Sequence, residues 1–168
     1  MKHFIYITLF VISALLVSSC GIYSFTGTNL GDAESIQIDF FRNEATFVEP
    51  TLSQKFTQDL QDLFTRQTNL TLVNSGADMH LEGEIVDYRE TPMSATADQT
   101  ASQTRLTVSI NVRFTNRLNE NDDFEQRFSH FFDFDSSELL VGNVLESALD
   151  EINERITNDV FNASVAKW

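Results

Sequence analysis

Residues 105–114 alternate without a break, with Leu106, Val108, Ile110, Val112 and Phe114 in one phase and Arg105, Thr107, Ser109, Asn111 and Arg113 in the other. A period of two places every apolar side chain on one face of an extended strand, whereas a helix would scatter them around its circumference. The chain is therefore committed to a sheet with one dry face and one wet face. Residues 116–123 follow as a polar turn rich in Asn and Asp. Beyond it, Phe124, Phe128, Phe132 and Phe134 share a face with Gln126 and His130. The two runs predict a long antiparallel hairpin.

The remaining segments supply further layers. Residues 35–42 set Ile36, Ile38 and Phe40 against Gln37 and Asp39, a second half-buried strand that ends at Asn43-Glu44. Thr51 and Gln54 have the spacing of a capping box, and Leu52, Phe56, Leu60, Leu63 and Phe64 then recur at helical spacing, with Gln58, Asp62 and Arg66 facing water. Residues 70–73 read as a short extended return before the Asn74-Ser75-Gly76 turn. Along residues 79–89, Met79, Leu81, Gly83 and Ile85 oppose His80, Glu82, Glu84 and Val86, and an inward Gly83 leaves room for a neighbouring ring. Residues 91–104 read as a long polar loop. A second helix is expected with Asn143 as its cap and Glu146 three residues on; its stripe is Leu145, Ala148, Leu149, Ile152, Ile156 and Ala163, with Val160 and Phe161 at the edges.

The order strand, helix, strand, strand, strand, helix predicts an α/β (α+β) two-layer sandwich: a four-stranded mixed sheet with two helices on one face. A right-handed crossover makes the first two long strands parallel if they are neighbours.

The N-terminus determines where this domain resides. Lys2 and His3 precede an apolar run over residues 4–17, too short and wrongly flanked for a membrane span, and Leu16-Val17-Ser18-Ser19-Cys20 reads as a lipoprotein signal-peptidase site. The reading divides the chain into a signal peptide (1–19), a lipidated tether (20–34) and one domain (35–168). Cys20 is the sole cysteine of the protein, so no internal disulfide competes for its thiol. Acylation there anchors the chain firmly, since each buried methylene contributes about 0.8 kcal/mol. Glycine after the cysteine, in place of aspartate, points to the outer membrane and its periplasmic leaflet. Loss of the signal removes only Lys2 and takes the net charge from −14 to −15, which makes nucleic acid and anionic lipid poor bulk partners.

Candidate chemistry is sparse. Glu82 and Glu84 share a strand face, but nothing converges on them, and they read as solvated. His80 and His130 fall on separate strands, no cysteine, HExxH or carboxylate cluster completes a metal site, and each reads as a core or edge histidine. No nucleophile elbow or phosphate loop occurs, so neither catalytic residues nor a cofactor beyond the lipid on Cys20 is expected. Against the acidic background, Arg105, Arg113, Arg117 and Arg127 gather on one hairpin, with Arg89 at the end of the preceding strand. Guanidinium forks suit phosphates of a glycolipid; they suit equally well cross-strand pairing with Glu82, Glu84 and Glu125. Trp168 at the terminus reads as packing, because four strands cannot close a barrel.

Several strings occur in a particular order: Cys20-Gly21-Ile22-Tyr23-Ser24-Phe25, Thr51-Leu52-Ser53, Gly83-Glu84-Ile85 with Tyr88, Thr91-Pro92-Met93, and Arg105-Leu106-Thr107-Val108 with Val112-Arg113-Phe114. In that order, with the element order and the lipid anchor, the chain resembles the lipopolysaccharide-assembly lipoprotein family, LptE, over nearly the whole mature sequence. The resemblance implies a two-layer lipoprotein that plugs the lumen of the LptD β-barrel, helps that barrel assemble, and contacts lipopolysaccharide on its way to the cell surface. The alternative is an auxiliary lipoprotein of a phospholipid-trafficking or ABC-type transport system, which would have soluble or inner-membrane partners.

Overall fold

The computed structural model describes residues 30–93 and 102–166. The signal segment, Cys20, most of the tether and Trp168 lie outside those residues. Its elements are β1 (Ser35–Ile38), β2 (Arg42–Asn43), α1 (Leu52–Gln67), β3 (Thr71–Leu72), β4 (Met79–Met93), β5 (Gln103–Asn116), β6 (Phe124–Asp135) and α2 (Gly142–Val165).

The alternation at β5 has the consequence its period requires. Leu106, Val108, Ile110, Val112 and Phe114 are all fully buried. β5 pairs antiparallel with β6 from Phe114 opposite Phe124 to Gln103 opposite Asp135, and with β4 from Asn116 opposite Met79 to Gln103 opposite Met93. The β5–β6 turn is held by Asn116, whose backbone N–H donates to Asp123 Oδ1 at 2.7 Å and whose side-chain amide donates to Asp122 Oδ2 at 3.2 Å. Strands β4 and β5 run further than the sequence indicates, so both ends of the expected 91–104 loop are strand.

Among the described residues the sheet is mixed and has six strands where four were expected, in the order β3-β1-β4-β5-β6 with β2 also on β4. β1 and β4 are parallel neighbours, as the crossover rule requires, and the extended return after α1 pairs onto β1 as the edge strand β3. The expected 35–42 strand is split in two by an irregularity. Ile38 pairs with Leu81 and Arg42 with Glu84, so four steps along one strand oppose three along the other. The extra residue inverts the phase: Phe40, expected inward, is 58% exposed, and Phe41 is fully buried. The slot that receives Phe41 is the one Gly83 leaves open, where a Cβ would stand 2.5 Å from Phe41 Cε1. The Phe41 N–H donates to the Thr57 hydroxyl of α1 at 3.1 Å, so the buried irregularity is satisfied.

A second bulge interrupts β4 at Val86, where the register passes from Ile85 opposite Ile110 to Asp87 opposite Ser109. Beyond it Tyr88 turns towards the core. Burial, with Glu49 and Glu90 nearby, pushes the Tyr88 phenol up to about 12.

Both helices cover the same sheet face and share one core with it, as expected. Phe56, Leu60 and Phe64 of α1 and Ala148, Ile152, Ile156 and Val160 of α2 are fully buried, which places Val160 at the centre of its stripe and not at the edge. The helices run the same way. Lys55 Nζ meets Asp150 Oδ1 at 2.8 Å near their starts, and the rings of Phe64 and Phe161 pack edge to face, 5.0 Å apart, towards their ends. Neither expected cap forms. The Thr51 hydroxyl donates to Glu49 Oε1 at 2.8 Å and leaves the helix amides alone, while α2 is entered through Val141 and Gly142, the latter at φ 56°, which puts Asn143 inside the first turn. Among the described residues, no helix is long and apolar enough to cross a membrane.

Candidate functional site

With the helices on one face, the polar phase of β4, β5 and β6 is left on the other. Register decides which charges meet there. Arg105 lies opposite Asp133 and donates from Nε to Oδ1 at 2.7 Å and from Nη2 to Oδ2 at 2.8 Å, with its guanidinium 3.6 Å over the Phe131 ring. The Arg105 hydrogen bonds hold the Asp133 carboxyl below the usual carboxylate range. Arg113 sits in one row with Glu82 and Glu125, its Nη1 3.0 Å from Glu82 Oε1 and its Nη2 3.1 Å from Glu125 Oε2. Arg89 and Arg127 both reach Asp87, at 3.2 and 3.8 Å. Arg117 stands apart at the β5–β6 turn and donates to the carbonyls of Gly76 and Ala77 at 3.3 and 3.4 Å.

Four of the five singled-out arginines thus share the face, and each has a carboxylate partner. Glu82 and Glu125 are partners the sequence indicated. Asp133 and Asp87 were missed, the latter because only the bulge at Val86 turns it outward. Beside this ladder runs an open groove of about 620 Å³, in which Asp39, Glu44, Glu82, Glu84 and Glu125 outnumber Arg42 and Arg113. An anion there meets more carboxylates than guanidiniums.

At the upper end of the groove, parallel pairing brings together residues remote in sequence. His80 Nε2 is 3.0 Å from Asp39 Oδ2, and one ligand atom from each of Asp39, His80 and Glu82 lies within 4.8 Å of the others. Asp39 Oδ1 accepts from Gln37 Nε2 at 2.8 Å; that bond, with help from His80, lowers the Asp39 carboxyl below its ordinary value. Residue spacing alone could not reveal this group, since its members come from two strands separated by a helix. His130 is elsewhere, with Nε2 2.6 Å from Asp159 Oδ2 on α2.

The loops before the two helices carry exposed apolar side chains. The loops entering α1 and α2 border a common cleft, and around them Phe47, Val48, Leu139 and Val141 are all exposed.

Helices on one side and a bare, ion-paired sheet on the other define a two-layer α+β domain. Residues 33–164 match the family described as LptE, lipopolysaccharide-assembly, and the chain belongs to that family. Among solved structures, it is similar to uncharacterized lipoprotein B from Nitrosomonas europaea, at 15% identity and a TM-score of 0.50 over 84% of this chain and 86% of that one. It is also similar to the hypothetical protein CT253 from Chlamydia trachomatis, at 10% identity and a TM-score of 0.49 over 80% and 99% of the two chains. A third similar structure is PelC from Paraburkholderia phytofirmans, a dodecamer, at 10% identity and a TM-score of 0.47 over 82% and 93%. No curated protein matches the chain.

Proposed function

We propose that this protein is a non-catalytic plug and assembly subunit of the lipopolysaccharide export translocon. Acylated Cys20 holds it to the periplasmic leaflet of the outer membrane, and the sheet domain occupies the lumen of an LptD-type β-barrel. The observation that carries the reading, beyond family membership, is the self-paired outward face: Arg105 with Asp133, Arg113 between Glu82 and Glu125, and Arg89 and Arg127 on Asp87. A face whose arginines are each held by a carboxylate is polar throughout and can lie against a water-filled lumen. The exposed Phe47, Val48, Leu139 and Val141 supply an apolar contact for the barrel.

Lipopolysaccharide phosphates would meet the same guanidiniums, of Arg89, Arg105, Arg113 and Arg127, with Arg117 at the turn. Arg105 and Arg113 are hydrogen-bonded to carboxylates and must exchange one for phosphate, so glycolipid contact there is a displacement and not the filling of a vacant basic pocket.

The test is a gentle detergent purification of the tagged, lipidated protein with mass spectrometry of what accompanies it. A large outer-membrane barrel in near-equal yield is the expected result. Recovery with transporter subunits, or with no barrel, overturns the plug reading and supports the auxiliary trafficking lipoprotein.

A further inference from the structure

Three metal-ligating side chains meet where β1 ends and β4 begins. Ile38 pairs with Leu81, and the Asp39 N–H continues the ladder to the Leu81 carbonyl at 2.9 Å, which sets the Asp39 side chain beside those of His80 and Glu82 on the outward face. The ligands therefore stand on paired backbone, held more closely than a loop would hold them. Zinc with bonds of roughly 2.0–2.2 Å keeps tetrahedral ligands about 3.4 Å apart. His80 Nε2 and Asp39 Oδ2 are already 3.0 Å apart, and a side-chain rotation brings Glu82 in from within 4.8 Å. All three side chains are open enough for an ion to reach, at 31% exposed for His80, 43% for Asp39 and 41% for Glu82. Gln37 holds Asp39 Oδ1 and leaves Oδ2 aimed at His80, an arrangement of the kind that orients ligands from behind.

We propose that Asp39, His80 and Glu82 form a binding site for a divalent transition-metal ion of the zinc type, with solvent completing the coordination. One imidazole among the donors selects against magnesium and calcium, which take oxygen ligands, and favours zinc and its neighbours. Two carboxylates balance the charge of the ion. The site also adjoins the arginine ladder, since Glu82 Oε1 accepts from Arg113 and a carboxylate can bridge a guanidinium and a metal ion through its two oxygens. The site stands apart from the translocon reading, because zinc binding is measured on the protein without a barrel.

The experiment is a calorimetric titration of zinc chloride into the full, metal-stripped chain in detergent, purified through a tag free of histidine. One zinc per chain is expected. H80A should weaken it by ~10-fold or more and Q37A by ~10-fold, as loss of a ligand and of its orienting partner do elsewhere. E82Q and D39N keep the shape of the side chains and must also weaken binding, which decides the matter if H80A fails to fold. H130A should leave the isotherm unchanged. No saturable binding, binding indifferent to E82Q and D39N, or binding lost only in H130A would overturn the proposal.

Discussion

Arg105 holds Asp133 through two parallel hydrogen bonds, of 2.7 and 2.8 Å, across the β5–β6 pair, and stacks on Phe131 two residues away on the same strand face. The planar fork reaches both carboxylate oxygens only in the observed register, so the contact fixes alignment as well as adding attraction. We expect R105A and D133A each to lower the urea midpoint, and the double variant to fall no further than the worse single one. Fully additive losses would show that the pair is not coupled. R105K should recover little, because an ammonium cannot make the fork. The pH dependence has a definite sign. Asp133 is depressed in the folded state, so its contribution is present above the unfolded carboxylate value and is lost as pH falls through the lowered one. D133N should flatten the acid limb of the stability curve.

Gly83 is constrained from two sides. A Cβ there would overlap the Asn111 carbonyl oxygen and press on the Phe41 ring. We expect G83A to destabilise by about 3 kcal/mol, the upper range for overpacking a well-filled core, measured by urea unfolding. Adding F41A should not rescue it, since the carbonyl on β5 cannot move without breaking the ladder. Rescue by F41A would place the whole constraint on the ring.

Gly83 also marks the limit of what the sequence discloses. The alternation of β5 and the helical stripes need no tertiary information, and they yielded the sheet, its dry face, the two helices and the parallel crossover. Phe40-Phe41 is different: either ring could turn inward, and the choice is made by an open slot at Gly83 on another strand. Val86-Asp87-Tyr88 is a similar case, because only the bulge makes Asp87 a partner for Arg89 and Arg127. The capping pattern at Thr51 failed because its backbone is already helical, at φ −85° and ψ −19°, where a capping side chain needs extended backbone to reach the helix amides. The arginine cluster was visible as composition, while its pairing depended on register. The Asp39, His80 and Glu82 group was invisible because it arises from parallel pairing of distant segments.

Asp78 ties the start of the domain to the sheet. One carboxylate oxygen accepts from the backbone N–H groups of Glu34 and Ser35, both at 3.1 Å, and from the Ser35 hydroxyl at 2.8 Å, while that hydroxyl accepts from the Asp78 N–H at 3.0 Å. The Ser35 hydroxyl is the main cause of the lowered Asp78 carboxyl value, with the Glu34 and Ser35 amides adding to it. Protonation should therefore loosen this end as pH falls through the lowered value. We expect D78A to speed hydrogen exchange at the Glu34 and Ser35 amides at neutral pH and to leave β5 protected. Equal acceleration in β5 would mean that Asp78 supports the whole sheet.

Asn153 presents the opposite case, a polar group in the wrong medium. It is fully buried on α2, and among the described residues neither its side-chain nitrogen nor its oxygen finds a hydrogen-bond partner. A buried amide without a protein partner carries a desolvation cost that an aliphatic side chain would not. The residue lies among the buried side chains of α2, next to Ile152, so leucine, larger and wholly apolar, fits the chemistry of the site. We expect N153L to raise stability by about 1–2 kcal/mol in urea unfolding, with an unchanged slope showing that the same surface is buried. N153D should do the reverse, since an ionised carboxylate there has neither solvent nor partner. A loss of stability in N153L would mean that the amide is satisfied by a buried water, and that water would then be part of the packing around α2.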